Sequence, residues 1–269
     1  MRRKSTHTIN MKKYPYKISA ICSERLAFPF YFISDIHLST YSGIEQDKRL
    51  KYIMILLEEI RESKGTLFIL GDFFDFWFDK NNYVPSKLKP VIELLSKIIK
   101  EGIEIHYIAG NHDYWIKGYL TKEIGIRFYK DALDLDYCNK KIFLQHGDGI
   151  VFESKIYPVA RKVMRSCVAI AILKILPVKW IYKLGEKISH YNNEHDEIPM
   201  VYDSYVSQMS KFLLSKNSEA YDLAISGHVH YPLEEENEGK KAVILGDWIN
   251  HWTYGVMDES GFELKKMSH

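Results

Sequence analysis

Cysteine is scarce: the 269 residues hold three, Cys22, Cys138 and Cys167, far apart and without a C-x-x-C pair. That excludes a disulfide framework and a thiolate-built structural zinc site, and a reducing cytosol is the simplest compartment. Also missing is any apolar run of the roughly 20 residues needed to span a bilayer. The expectation is a soluble cytoplasmic protein, at most peripheral on the inner face of the cell membrane. Charge of one sign is not in excess, with 37 Lys and Arg against 35 Asp and Glu, so no global field argues for nucleic acid. Internal repeats, low-complexity tracts and a clear linker are absent as well. The opening MRRKSTHTINMKKYPYK is basic like the start of a signal peptide, but no sustained apolar segment follows it. It reads as a terminal extension, with Met11 as an alternative start.

Hydrophobic residues make up 46% of the chain, enough for a substantial core. The stretch LFILGDFFDFWF, Leu67 to Phe78, organises the rest. Leu67 to Leu70 predict a buried strand, which the Gly-Asp pair stops abruptly with a carboxylate at its end. Phe30 to Ser34 predict an earlier strand ending in Asp35-Ile36-His37. Ile105 to Ala109 predict another, ending in Gly110-Asn111-His112-Asp113. Between them, Glu45 to Lys64 and Ser86 to Lys100 carry apolar residues at helical spacing, the second closed by Gly102. Farther on, Ile142 to Gln145 ends at His146-Gly147-Asp148, and Leu223 to Ser226 ends at Gly227-His228-Val229-His230. Alternating strand and helix implies a βαβ layout in which ligands gather at the carboxyl ends of strands.

Between Phe152 and Leu214 the strand signal disappears, and apolar residues mix with Arg161, Lys162, Arg165, Lys174, Lys179, Lys183 and Lys187. Pro177 divides this stretch into short helices. The expected organisation is an extension over 1–27, a core over 28–151 and 215–269, and a helical cap inserted over 152–214.

Asp35, His37, Asp72, Asn111, His146, His228 and His230 all follow apolar strands. Carboxylate and amide oxygens mixed with imidazole nitrogens suit divalent ions, manganese first, with iron or zinc also possible. Two ions sharing a carboxylate can clamp a phosphoryl group and activate water, so the implied chemistry is hydrolysis at phosphorus. Each element alone reads more simply as a turn or a helix cap; all of them in order do not.

These blocks, D-x-H, G-D-x-x-D, G-N-H-D, H-G-D and G-H-x-H, resemble those of the calcineurin-like metallophosphoesterases. The resemblance implies an α/β fold, a four-layer α/β/β/α metallophosphoesterase sandwich with a helical insertion. One ion would be held by Asp35, His37, Asp72 and His230, the other by Asp72, Asn111, His146 and His228. His112 would stabilise charge or protonate the leaving oxygen, with Asp113 orienting it. Through F-I-S-D-I-H-L, L-G-D-F-F-D-F-W, the basic apolar cap and the late V-I-L-G-D-W, the chain from Phe32 to about Gly255 is also similar to the bacterial UDP-2,3-diacylglucosamine pyrophosphohydrolases of the lipid A pathway. That implies cleavage of a UDP-sugar lipid to UMP and an acylated sugar phosphate, under a cap that holds the acyl chains and touches the membrane. Ser189, Asn193, Arg161 and Arg165 are the substrate contacts expected in the cap.

Departures remain: His112 stands where the lipid A enzymes carry Arg, Asp196 stands where a Lys is expected, and Glu153 only loosely matches their acid. A soluble nucleotide or a phosphoprotein is therefore the alternative substrate. A non-catalytic scaffold is a third possibility, which the intact ligand set opposes. The aromatic run Phe73, Phe74, Phe76, Trp77 and Phe78 reads equally as a grip on the substrate or as packing under the cap.

Overall fold

The computed structural model describes residues 18–22, 26–151, 157–193 and 199–268. Among the described residues, twelve strands form two mixed six-stranded sheets. The first sheet has the order β12 (Gly261–Lys266), β11 (Thr253–Asp258), β2 (Phe30–Ile33), β3 (Thr66–Leu70), β4 (Ile105–Ile108), β5 (Arg127–Tyr129). The second runs β1 (Ile18–Cys22), β6 (Ala132–Tyr137), β7 (Lys140–Gln145), β8 (Leu223–Ser226), β10 (Lys240–Leu245), β9 (Pro232–Asn237).

The period-2 alternation of each strand divides its side chains between two cores. Phe68 and Leu70 of β3 join Phe30, Phe32, Leu144, Ile225 and Val243 in a cluster between the sheets. Leu67 and Ile69 of the same strand face outward, where α1 (Ile44–Ser63) and α2 (Lys89–Lys100) cover them. α1 buries Ile53, Leu56, Leu57 and Ile60, an i, i+3, i+4, i+7 stripe. On the opposite side, Met209, Phe212 and Leu213 of α6 (Pro199–Glu219) pack on Phe143, Ala224 and Ile244. The layers are thus helix, sheet, sheet, helix, as expected.

Two assignments shift. Residues 199–214, expected in the cap, lie in α6, whose apolar face packs on the sandwich. Ile18–Cys22, expected in the extension, is a strand, and it pairs with β6 in parallel.

Three further helices, α3 (Tyr157–Met164), α4 (Cys167–Ile175) and α5 (Val178–Asn193), occupy the stretch expected as the cap. Ser166 caps α4 by accepting the Ala169 amide at 3.2 Å, and Pro177 separates α4 from α5. Lys80, two residues beyond Phe78, donates to the Lys174 carbonyl at 2.6 Å and to that of Leu176, closing the C-terminal end of α4. Phe76 meets Tyr182 of α5 edge-to-face at 5.5 Å, while Phe73, Phe74 and Trp77 are buried in the core. The aromatic run therefore packs core and cap together.

Candidate metal centre

All the expected metal ligands come together at the carboxyl ends of strands from both sheets. Asp35 and His37 follow β2, Asp72 follows β3 and Asn111 follows β4; His146 follows β7, and His228 and His230 follow β8. Asp35, His37, Asp72, His228 and His230 have φ between 50° and 71°, a left-handed conformation that L side chains seldom adopt. Strain concentrated in this way marks positions that the surrounding structure holds for function. Two glycines make the close approach possible. A Cβ on Gly110 would fall on the Asp72 carboxylate, and one on Gly227 would overlap Ser34 Oγ and Asp35 Oδ2.

Among the described residues, three groups of side chains could each hold a cation: Asp35, His37 and His230; His37, Asp72 and His112; Asp72, His146 and His228. In each, the ligand atoms lie within 4.8 Å of one another. Asp72 belongs to two of them. Its Oδ2 is 3.2 Å from His146 Nε2 and 4.0 Å from His37 Nε2, while its Oδ1 accepts the His112 amide at 2.9 Å. Asn111 Oδ1 lies 3.0 Å from His146 Nε2, completing that side. On the other side His230 Nε2 is 3.2 Å from Asp35 Oδ1 and 3.2 Å from His37 Nε2.

The surrounding bonds aim these rings. His146 Nδ1 donates to the Leu70 carbonyl at 2.8 Å, which leaves the Nε2 lone pair facing inward. His112 Nδ1 likewise donates to the Asp75 carbonyl at 2.8 Å. Asp75 Oδ1 is 3.5 Å from His37 Nδ1 and supports that ring from behind the site.

Electrostatics test whether a divalent cation suits the cradle. Burial opposes the charge of Asp72, but His146 and His112 hold its carboxyl well below the usual range. Burial likewise opposes charge on His37, yet the nearby carboxylates of Asp35, Asp75 and Asp72 raise it to about 10. His146 is also raised to about 10 against burial, chiefly by Asp72. Such a field draws positive charge into the site. Asp35 Oδ1 is buried without a hydrogen-bond donor, so the donor set fits hard divalent ions.

Two expected roles change. Asp113 was expected to orient His112. Instead its carboxylate accepts the Phe73 and Gly110 amides, both at 2.9 Å, and the Tyr107 hydroxyl, tying the loops after β3 and β4 together. Arg161 and Arg165, expected to meet substrate, both bind Asp148, at 2.8 and 2.6 Å, and so fasten the cap to the loop after His146. Ser189 and Asn193 fall on α5, but their side chains lie outside the described residues, as does Glu153.

Sequence reasoning gave the loop after β10 no role. Asp247 Oδ1 accepts the amides of Ile249, Asn250 and His251, and its Oδ2 points toward His230 Nδ1 at 3.8 Å. Arg49 of α1 donates to the carbonyls of Ile36 and His37, at 3.3 and 2.8 Å. A signal for Asp247 was present: ILGD occurs at 69–72 and again at 244–247.

Known proteins resemble this chain. A family model described as calcineurin-like phosphoesterase matches residues 28–232. A UDP-2,3-diacylglucosamine hydrolase from Porphyromonas gingivalis is 28% identical, covering 88% of this chain and 97% of its own length. A namesake from Haemophilus influenzae is 29% identical over 86% of this chain and 95% of its own. A solved archaeal phosphodiesterase, 14% identical, aligns over 88% of this chain and 99% of its own with a TM-score of 0.45.

Proposed function

This chain belongs to the calcineurin-like phosphoesterase family and is a phosphoester hydrolase, and from that premise we propose that it uses two divalent ions to cleave a nucleotide diphospho-sugar lipid. The observation that carries the proposal is the double membership of Asp72. Asp35, His37, Asp72 and His230 would hold one ion; Asp72, Asn111, His146 and His228 would hold the other. Bound there, the ions supply Lewis acidity to the phosphoryl oxygens and lower the pKa of water, and manganese, iron or zinc would each suit the donors.

The chain's own groups do the rest. His112, its Nδ1 fixed on Asp75, presents Nε2 4.0 Å from Asp72 Oδ2 and is placed to give a proton to the leaving oxygen. Water adds to one phosphorus, the bridging P–O bond breaks, and UMP and an acylated sugar phosphate leave.

The cap supports a lipid substrate. From 154 to 185 there is no Asp or Glu, while Lys155, Arg161, Lys162, Arg165, Lys174, Lys179 and Lys183 are present. In the same segment Val168, Ile175 and Trp180 are 70%, 83% and 69% exposed. Exposed apolar side chains in a lysine-rich segment suit the face of an anionic membrane, where such a substrate would be met. Among the described residues, no helix is long and apolar enough to cross a membrane.

The test is UMP release from UDP-2,3-diacylglucosamine by metal-loaded protein, beside metal analysis of Asp72→Ala. Expected are UMP release by the unaltered chain and loss of both ions in the variant. Turnover of unacylated nucleotides alone would remove the lipid, and a variant that kept both ions would remove the shared ligand.

A further inference from the structure

A cavity of ≈ 610 Å³, within the usual size range for small-molecule sites, opens between the loop after Asp113 and the cap helix α4. Tyr114, Trp115 and Phe128 give it flat aromatic walls. Lys117, Lys122, Lys130 and Lys174 stand around it, and none of these four ammonium groups has an ion-pair partner among the described residues. Its one carboxylate, Asp79, is committed elsewhere, accepting Trp77 Nε1 at 3.0 Å and the Lys117 amide.

Arg165 joins this cavity to the metal centre. Its guanidinium lies 3.9 Å over the Tyr114 ring, and it donates to Asp148 and, at 3.3 Å, to the carbonyl of Gly110, the residue before Asn111. A diphosphate held at Asn111 and His146 would therefore have one substituent directed past Arg165 toward the aromatic walls.

We propose that this cavity seats the nucleotide half of the substrate, with the base against Trp115 and Phe128 and the nucleotide's own phosphate at the Arg165 end, between the metal centre and the lysines. The inference rests on the reading above that the substrate is a nucleotide diphosphate. Aromatic faces accept any base by stacking, and four unpaired ammonium groups favour a ligand carrying nearly two negative charges. An acyl chain would leave those charges uncompensated, and the apolar face of α4, at Val168, Ile172 and Ile175, is exposed to solvent.

UMP binding to the full chain, followed by calorimetry and by tryptophan fluorescence, tests the assignment. UMP should quench fluorescence and bind more tightly than uridine or inorganic phosphate. Reversing two exposed lysines together, Lys122→Glu with Lys130→Glu, should weaken UMP at least about tenfold while leaving uridine unchanged. Trp115→Leu should weaken both. An unchanged UMP affinity in the double variant would overturn the proposal. So would inorganic phosphate binding as tightly as UMP, or quenching by dodecanoate but not by UMP. Metal-dependent hydrolysis of bis(p-nitrophenyl) phosphate by the unaltered chain reports the phosphoesterase reading separately, so the two can fail independently.

Discussion

The amide of His112 donates to Asp72 Oδ1 at 2.9 Å, a bond that joins the loop after β4 to the shared carboxylate after β3. It depends on Gly110, where any Cβ would collide with that carboxylate. Gly110→Ala should therefore fold, with an unaltered circular dichroism spectrum, yet bind manganese more than about tenfold more weakly by calorimetry. Displacing a ligand should cost at least as much as losing a partner one bond removed from the ion. Normal metal affinity in this variant would show that the loops can separate without consequence.

Asp247 should matter through His230. Asp247→Asn retains an acceptor for the loop amides of Ile249, Asn250 and His251 but removes the charge facing His230 Nδ1. Asp247→Ala removes both. The expected order of metal affinity is unaltered chain, Asn variant, Ala variant, spanning about 10- to 100-fold. Equal affinity in all three would reduce Asp247 to a loop brace.

Acid should destabilise the sandwich through His106 on β4. Burial, against the pull of Glu104, lowers this imidazole to about 4, whereas the unfolded ring titrates near about 6.5. Between those values the unfolded chain binds a proton that the folded chain does not, so stability falls as pH falls from about 6.5 to 4. The contribution is on the order of 2–3 kcal/mol. In urea titrations at pH 7 and pH 4.5, His106→Gln should show a smaller acid loss than the unaltered chain. Equal losses would place the sensitivity elsewhere.

The cap offers a test free of catalysis. Ile175→Glu with Trp180→Glu puts charge on the two exposed apolar side chains that flank Pro177. Co-sedimentation with phosphatidylglycerol vesicles should drop several-fold, and 0.5 M salt should lower binding by the unaltered chain through screening of its lysines. Vesicle binding that ignores both changes would exclude this face as the contact.

The ligand-bearing strands were legible because each is buried on both sides: FYFI, TLFIL, IHYI and LAIS are apolar runs ended by a turn or a ligand. The outer strands were not. PLEEEN and GFELKK carry charge on their exposed positions, and only pairing with β10 and β11 makes them strands. Helix spacing in α6 marked an apolar stripe but not which layer it would meet. In the site, residue types and strand ends pointed to the ligands. The reassignment of Asp113 came from three donors that converge only in space: Phe73, Tyr107 and Gly110.

Asp35, His37, Asp72 and Asn111 come from one sheet, and His146, His228 and His230 from the other. A cation gripped by both sets is consequently a rivet through the sandwich as well as a reagent. By mass action, each tenfold rise in free ion above its Kd adds about 1.4 kcal/mol to the folded state. Thermal midpoints should then follow ion supply, so a cell starved of the metal would lose the protein to proteolysis as well as its catalysis.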